Sequence, residues 1–251
     1  MFDSTQRFST RVENYIRYRP DYPPGIIEML KVNCGLCPES IIADVGSGTG
    51  MLSGLFLTAG NRVFGIEPNV EMRQGGERLL KDFPAFNSVG GTAEQTTLPD
   101  KSVDFITAGQ AFHWFNAARA REEFVRILRP GGWVVLVWND RRTDSTPFLA
   151  GYERLLRDYA TDYDQVNHKR IDSATLRDFF GAEPAMKSFS NFQHFDFDSL
   201  RGRLLSSSYA PDVGEPGHAE MIDALHHLFT VHQKEDRVTF EYDTLVYCGR
   251  L

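Results

Sequence analysis

Long apolar runs are missing from this chain. No stretch of its 251 residues approaches the ~18 apolar residues of a membrane span. The opening "MFDSTQRFSTRVENYIRYRP" has no apolar core of signal-peptide length. The expectation is a soluble, cytoplasmic protein. Cysteine is scarce: three residues suit a reducing compartment and cannot build a disulfide framework. Cys34 and Cys37 form "CGLC", but they follow a helical pattern and precede a strand, whereas a redox dithiol sits after a strand at a helix start. No second CxxC pair completes a zinc site. Basic charge is also in deficit. The net charge is −7 and the isoelectric point about 5.5, so phosphates gain no overall attraction. Nucleic acid is therefore not expected as a partner, and neither is a membrane. No internal repeat and no low-complexity segment occurs.

What is present is an alternation. Helical and strand patterns exchange over the first ~140 residues. "PPGIIEMLKVNCG" reads as a helix with prolines at its start and a glycine stop. "IIADV" is a short buried strand and "MLSGLFLTAG" a helix ending at Gly60. "NRVFGIE" is a second strand. Asn69 can cap "VEMRQGGERLLKDF", a helix that Gly75 and Gly76 weaken. "FNSVGGT", "VDFITA" and "GGWVVLVW" are further strands. Between the last two, "NAARAREEFVRILRP" places Phe124, Ile127 and Leu128 on one face before a Pro-Gly stop. Strands spaced by helices indicate parallel βαβ units with right-handed crossovers, hence an open, doubly wound α/β sheet. Ligands bind such sheets beyond the carboxyl ends of the strands.

After ~140 the rhythm changes. "FLAGYERLLRDYA", "SATLRDFF", "DSLRGRLLSSS" and "HAEMIDALHHLFTVH" are helical, "MKSFSNFQHFDF" alternates like an exposed strand, and "VTFEYDTLVYCG" is a long strand. No linker separates these segments, which predicts one domain over 1–251. Its parts are an N-terminal lid and first helix (1–35), a ligand-binding core (36–140), a helical cap (141–237) and a final strand (238–251).

The segment "ADVGSGTG" follows a strand and opens a helix, with Asp44, Gly46, Gly48 and Gly50. Glycines there let the backbone turn and let a ligand approach the main chain; a purely structural turn is the competing reading. The spacing is G-x-G-x-G, and Met51 stands where a dinucleotide fingerprint needs its last glycine. About 20 residues on, Glu67 ends the second strand, where an acid can accept both hydroxyls of a ribose.

With these residues the chain resembles the class I S-adenosylmethionine-dependent methyltransferases. "VGGTAEQTTLPDKSVDFITA" is similar to that family's adenine segment and fourth strand, and "LRPGGWVVLV" to its turn and fifth strand. "YIRYRPDYP" and the cluster "FHWF" resemble the small-molecule branch that includes the trans-aconitate methyltransferases. The resemblance spans about residues 10–140. It implies a Rossmann-like fold: a mostly parallel, seven-stranded sheet with an antiparallel final strand and helical cap insertions. It also implies S-adenosylmethionine as cofactor and S-adenosylhomocysteine as product. In such a site Gly46, Ser47, Gly48 and Gly50 wrap the amino-acid end, and Asp44 orients the loop or meets the ammonium through water. Glu67 takes the ribose. Pro68 and Met72 flank adenine or ribose, and Thr92, Ala93 and Glu94 lie at the adenine. Gln110 faces the methionine portion through its backbone. Tyr18 and Arg19 belong to a lid, with Tyr15 near them; a helix packing its tyrosines on the sheet edge is the plainer alternative.

The implied reaction is attack on a sulfonium methyl by a carboxylate, hydroxyl, nitrogen or carbon of a small molecule. Positive charge disappears during that step. Alignment of the reactants and exclusion of water therefore matter more than a counter-charge, which fits a chain with no Ser/His/Asp set. His113 is the candidate base if the acceptor carries a proton, and otherwise part of the wall. Phe112 and Trp114 share a side if "FHWF" stays extended and would line the substrate pocket; Phe115 suits core packing equally. His226, His227 and His232 are not spaced to share a metal, and Asn139–Asp140 has no acidic partner in "GQAFHWF", so no metal is expected. Arg201 and Arg203 read better as a solvated helix face than as a carboxylate site. No Asn/Asp-Pro-Pro-Tyr segment of the base-modifying methyltransferases follows the fourth strand. A nicotinamide oxidoreductase is the first rival, disfavoured by Met51 and by the absence of a Tyr-x-x-x-Lys pair. A non-catalytic cofactor binder is the second. Oligomeric state is not legible.

Overall fold

The computed structural model describes residues 12–161, 163, 173–207 and 209–251; residues 1–11 of the expected lid lie outside them. The chain begins with α1 (Val12–Tyr18) and α2 (Gly25–Cys34), followed by β1 (Ile41–Val45), α3 (Met51–Thr58), β2 (Arg62–Ile66), α4 (Val70–Leu79), β3 (Phe86–Val89) and β4 (Val103–Gly109). Then come α5 (Ala117–Ile127), β5 (Leu128–Arg141), α6 (Pro147–Tyr159), α7 (Ser173–Phe180), β6 (Ala185–Phe195), α8 (Phe197–Leu205), α9 (His218–His232) and β7 (Val238–Gly249). The sheet has seven strands in the order β3-β2-β1-β4-β5-β7-β6. The first five run parallel, and β7 lies antiparallel between β5 and β6. Among the described residues, no helix is long and apolar enough to cross a membrane.

Local signals explain most boundaries. The Asn69 side chain accepts the Met72 N–H at 2.8 Å and caps α4. Gly35, at φ 71°, closes α2. α5 stops at Ile127, and the strand begins at once, because Leu128 already pairs with Val103; the Pro-Gly-Gly turn is therefore an irregularity inside β5 and not a loop before it. The parallel strands bury both faces. Val134 and Leu136 join Ile106, Phe124, Ile127 and Phe179 on one side. Val135 and Val137 join Ile26, Leu30, Ile42 and Phe56 on the other. A third apolar cluster fills the cap, with Leu149, Tyr152, Leu200, Leu225 and Phe240. Strand β7 belongs to both: Phe240 and Tyr242 point into the cap cluster, while Val246 and Cys248 lie over α2.

The stretch 141–237 is not wholly a helical cap. Its residues 185–195 form β6, the sheet's edge, because eleven residue pairs match β7 in antiparallel register. Gly75 and Gly76 also acquire a purpose. A Cβ on Gly75 would come within 2.8 Å of Val12 Cγ1, and one on Gly76 within 3.4 Å of the Gly48 and Thr49 main chain. Their cost in helix propensity lets α1 and the glycine loop approach α4.

A carboxylate ties the segment after residue 94 to α5. Glu123 Oε1 accepts the Thr96 N–H at 2.7 Å and the Thr96 hydroxyl at 2.6 Å, while Arg126 donates to both of its oxygens. The Arg126 hydrogen bonds come first among the causes that hold the Glu123 carboxyl at about 2. Because the folded value lies below the unfolded one of ~4.3, this contribution is complete above ~pH 4.3 and is lost as pH falls toward ~2. Glu123→Gln should cost about 1–3 kcal/mol near neutral pH and flatten the acid limb of the stability curve. Urea unfolding of both proteins across that range checks it; parallel acid limbs would refute the assignment.

Candidate functional site

The strand order reverses between β1 and β4, so the loops leaving their carboxyl ends diverge and open a crevice. Gly46, Ser47 and Gly48 leave β1 there. The Gly46 and Ser47 N–H groups both donate to the Ile66 carbonyl, at 2.8 and 3.0 Å, which folds the loop back onto β2. Gly46 has φ 66°, and a Cβ on it would stand 2.6 Å from Ala111 Cβ; only glycine meets both demands. Gly50 then caps α3 at φ 80°, so the helix opens toward the crevice with its N–H groups.

Two acids sit under this loop in different roles. Asp44 is fully buried and accepts the Ser53 hydroxyl at 2.6 Å and the Thr107 hydroxyl at 2.9 Å. It thereby joins β1 to α3 and β4. Burial pushes its carboxyl up to about 6, against the opposing pull of those hydroxyls. Glu67 ends β2 with one oxygen on the Gly48 N–H and the other on the Asn69 N–H, both at 2.9 Å. Burial raises its pKa as well. Each oxygen keeps a lone pair for a further donor.

One cavity of about 740 Å³ runs through the crevice. At one end it is lined by Asp44, Gly46, Ser47, Gly48, Glu67, Pro68, Met72, Thr92, Ala93 and Glu94, all expected from sequence to meet the cofactor; Gly50 stands behind them, capping α3. Thr49 was not among the expected residues. The residue also lines the cavity, and its buried hydroxyl has no hydrogen-bond partner among the described residues. A tight backbone cradle, an unsatisfied hydroxyl and a cavity-lining acid with spare lone pairs fit an adenosyl amino acid. Glu94 holds the entry of α5 by accepting the Asn116 N–H at 2.7 Å. Gln110 is strained at φ 55°; its N–H donates to the Val137 carbonyl and its side-chain amide to the Asn139 carbonyl.

The aromatic cluster does not stay extended. Residues 112–114 form a 3-10 turn, which spaces successive side chains by ~120°. Phe112 therefore leaves the pocket. It is 2% exposed and packs edge-on against Phe179, with ring centroids 4.6 Å apart, and against Phe115 and Trp138. His113 and Trp114, with rings 4.7 Å apart, line the cavity together with Phe115. Tyr18 is the second correction. It packs where Gly202 of α8 leaves room for its ring and does not line the cavity, whereas Tyr15, Arg19 and Tyr22 of the same segment do.

The other end of the cavity was hardly legible in sequence. Trp138, Asn139, Arg141, Tyr163, Arg203, Tyr209 and Tyr242 line it. Arg203 corrects the expectation of a solvated helix face. Two residues along α8, Arg201 faces out and pairs with Asp198 at 3.2 Å, while Arg203 is 6% exposed. Residues two apart on a helix point ~200° away from each other. Asn139 was considered only as part of a metal pair. Its side-chain N–H₂ instead donates to the Pro20 and Asp21 carbonyls at 3.4 and 3.3 Å, and its oxygen accepts the Thr244 hydroxyl at 2.6 Å. Asn191 donates to the Asp21 carbonyl at 2.7 Å and Gln193 to that of Tyr18 at 3.2 Å. The segment 18–22 is thus a strap clasped across the chamber. Among the described residues, no group of three or more His, Cys, Asp or Glu is placed to hold a metal ion.

The chain is similar to known proteins. The profile of a methyltransferase-domain family matches residues 43–136. An uncharacterized methyltransferase of Schizosaccharomyces pombe is 35% identical over 150 residues, 59% of this chain and 58% of that protein. One of Mycobacterium tuberculosis is 38% identical over 141 residues, 55% and 54% of the two chains. The aligned parts therefore span little more than half the length of these curated relatives. Among solved structures, a putative type II methyltransferase from Anaeromyxobacter dehalogenans superposes with a TM-score of 0.67 at 23% identity, covering 93% of this chain and 98% of that one. Residues 43–136 thus match a methyltransferase-domain family, and the fold as a whole is that of solved putative methyltransferases.

Proposed function

We propose that this protein transfers a methyl group from S-adenosylmethionine to a small-molecule acceptor and releases S-adenosylhomocysteine. The observation that carries this reading is the single cavity, which joins the glycine loop and Glu67 to a chamber roofed by the strap. A chamber of this size in an acidic chain suits a small molecule better than a nucleic acid. The finer resemblance to the trans-aconitate branch rests on "YIRYRPDYP" and "FHWF" alone. One domain with a lid, core, cap and final strand remains the organisation we favour, with β6 moved from the cap to the sheet.

The cofactor supplies an electrophilic methyl on a cationic sulfur. The chain's own part is placement. Glu67 holds the ribose hydroxyls, the Gly46–Gly48 main chain and Asp44 hold the amino-acid end, and Pro68, Met72, Thr92, Ala93 and Glu94 enclose the base. Gln110 supports the methionine portion. Trp114, Phe115 and Tyr22 wall the reacting centre and keep water out. Holding acceptor and methyl in line is worth several kcal/mol without any catalytic group. His113 is wall for an acceptor already deprotonated at neutral pH, and base for one that still carries a proton.

Calorimetric titration with S-adenosylhomocysteine and with NAD tests the assignment. The first should bind and the second should not; the opposite result would overturn it. Glu67→Ala should weaken S-adenosylhomocysteine at least about tenfold, since it removes charge-assisted bonds to two hydroxyls. Unchanged affinity would remove Glu67 from the ribose.

Asp44 gives a pH signature. Its folded pKa of about 6 exceeds the unfolded ~3.9. The folded state therefore holds the extra proton, and the stability contribution falls as pH rises from ~4 to ~6. Ionised Asp44 favours the ammonium group of the amino-acid end, so S-adenosylhomocysteine affinity should rise over about pH 5–7. Asp44→Asn should flatten that rise; a slope preserved in the variant would exclude the role.

Once an acceptor is found, His113→Ala separates wall from base. A loss of turnover of ~100-fold or more with intact cofactor affinity marks a base, and a loss under ~10-fold marks a wall.

A further inference from the structure

The roof of the chamber holds more positive charge than its neighbours neutralise. Three arginines line that end: Arg19 from the strap, Arg141 from the end of β5 and Arg203 from α8. Arg141 donates to Glu153 at 2.6 Å and to the Tyr163 hydroxyl at 3.2 Å, and Glu153 is shared with the Tyr163 hydroxyl and Arg157. Among the described residues Arg19 donates to the Ser206 carbonyl, at 3.0 Å, and Arg203 to the Ser207 hydroxyl, at 3.2 Å, with the Tyr242 hydroxyl as a further partner. Neither is paired with a carboxylate among the described residues. Asp140, next to Arg141 in the chain, is on the same lining.

Each of the three also keeps a buried N–H without a partner among the described residues: Nε of Arg19, Nη1 of Arg141 and Nε of Arg203. Their flat faces are occupied. Arg19 lies over Tyr15 at 5.0 Å, Arg141 over Tyr152 at 5.0 Å, and Arg141 and Arg203 flank Phe240 at 5.8 and 5.9 Å. Stacking fixes the planes and leaves the edges for bonding. Burial, then the nearby charge of Arg203, pushes the Arg19 guanidinium below its usual pKa.

Buried guanidinium groups are costly unless something pays back their desolvation. A water molecule can accept a stray N–H, but it does not neutralise a charge. An oxyanion does both, and guanidinium edges match its geometry.

We propose that Arg203 and Arg19, with Arg141 beside them, form a built oxyanion subsite that holds a carboxylate or phosphate of the acceptor other than the group methylated. The inference rests on reading this chamber as the acceptor's. The captured group is a non-reacting one for a chemical reason: a guanidinium bonded to both oxygens of a carboxylate draws off the electron density that attack on a methyl requires. The acceptor class is therefore an anionic small molecule with its nucleophile separated from a fixed negative charge. Tyr163, Tyr209 and Tyr242, on the same lining, fill the space between with rings.

The test uses the full chain saturated with S-adenosylhomocysteine and titrated with glutarate, inorganic phosphate and neutral glutaramide. Glutarate or phosphate should bind at least ~10-fold tighter than the diamide; which of the two is tighter identifies the oxyanion. Arg203→Met and Arg19→Gln should each lose ~10-fold or more of that binding, Arg203→Lys should lose less than Arg203→Met, and S-adenosylhomocysteine affinity should stay within about twofold. Melting curves separate this from a structural role. In anion-free buffer Arg203→Met should melt at or above the wild type, and it should lose the upward shift that the anion gives the wild type. The subsite is overturned if neither anion binds the wild type below ~50 mM, if the diamide binds equally well, or if Arg203→Met melts lower yet keeps the anion shift. Should Arg203→Met fail to fold, Arg203→Lys, Arg19→Gln and the wild-type preference for anion over diamide decide the matter. If S-adenosylhomocysteine itself does not bind, the methyltransferase reading fails, while the wild-type preference still judges the subsite.

Discussion

The point where the strand order reverses, between β1 and β4, governs this structure. Right-handed crossovers on either side of it send the connecting loops in opposite directions and leave a crevice that no loop can fill. Asp44 sits at the base of that crevice and binds its walls together through the hydroxyls of Ser53 and Thr107. A fully buried carboxylate is a poor choice for stability alone, since hydroxyls on both sides do not restore its hydration and its pKa rises. Its placement is consistent with a cationic visitor above the glycine loop.

The chamber repeats this economy on a larger scale. Its arginines are held by tyrosine and phenylalanine faces and by main-chain or hydroxyl oxygens, with one carboxylate among them. A fold optimised only to stay folded would fill this space with leucine. The cap cluster around Phe240 does so immediately beyond, and strand β7 carries the boundary between the two environments along one row of side chains. Apolar packing below the chamber provides the stability that the polar roof gives up.

How much of this was legible in the sequence depended on whether a signal was local. The parallel strands, the Asn69 cap and the Gly35 stop all follow from short patterns, and the structure has each of them. The glycine loop with Glu67 was legible for the same reason: the loop and the strand end lie about 20 residues apart in adjacent βα units. Phe112 was misread because an extended stretch and a 3-10 turn share one composition while pointing their side chains differently. Arg203 was misread because a short helix with an arginine on each face carries no phase mark; only the ring of Tyr18 on Gly202 and the depth of α8 show which one is inside. Gly75 and Gly76 were read as weaknesses because propensity is local, whereas the neighbours that need their missing side chains, Val12 and Thr49, come from far along the chain.

The strap is clasped in a particular way. Side-chain amides of Asn139, Asn191 and Gln193 reach the main-chain carbonyls of Tyr18, Pro20 and Asp21. Every residue type has a carbonyl, so the clasp makes no demand on the identity of the side chains it holds. Three amides in the sheet carry that clasp. Of the strap's inward residues, Arg19 adds a tie of its own to the Ser206 carbonyl, while the amide clasp is indifferent to Tyr22. A scaffold of this kind separates the address of a lid from its chemistry, so descendants of one ancestor can acquire new acceptors by redecorating the strap while its course over the chamber is inherited intact.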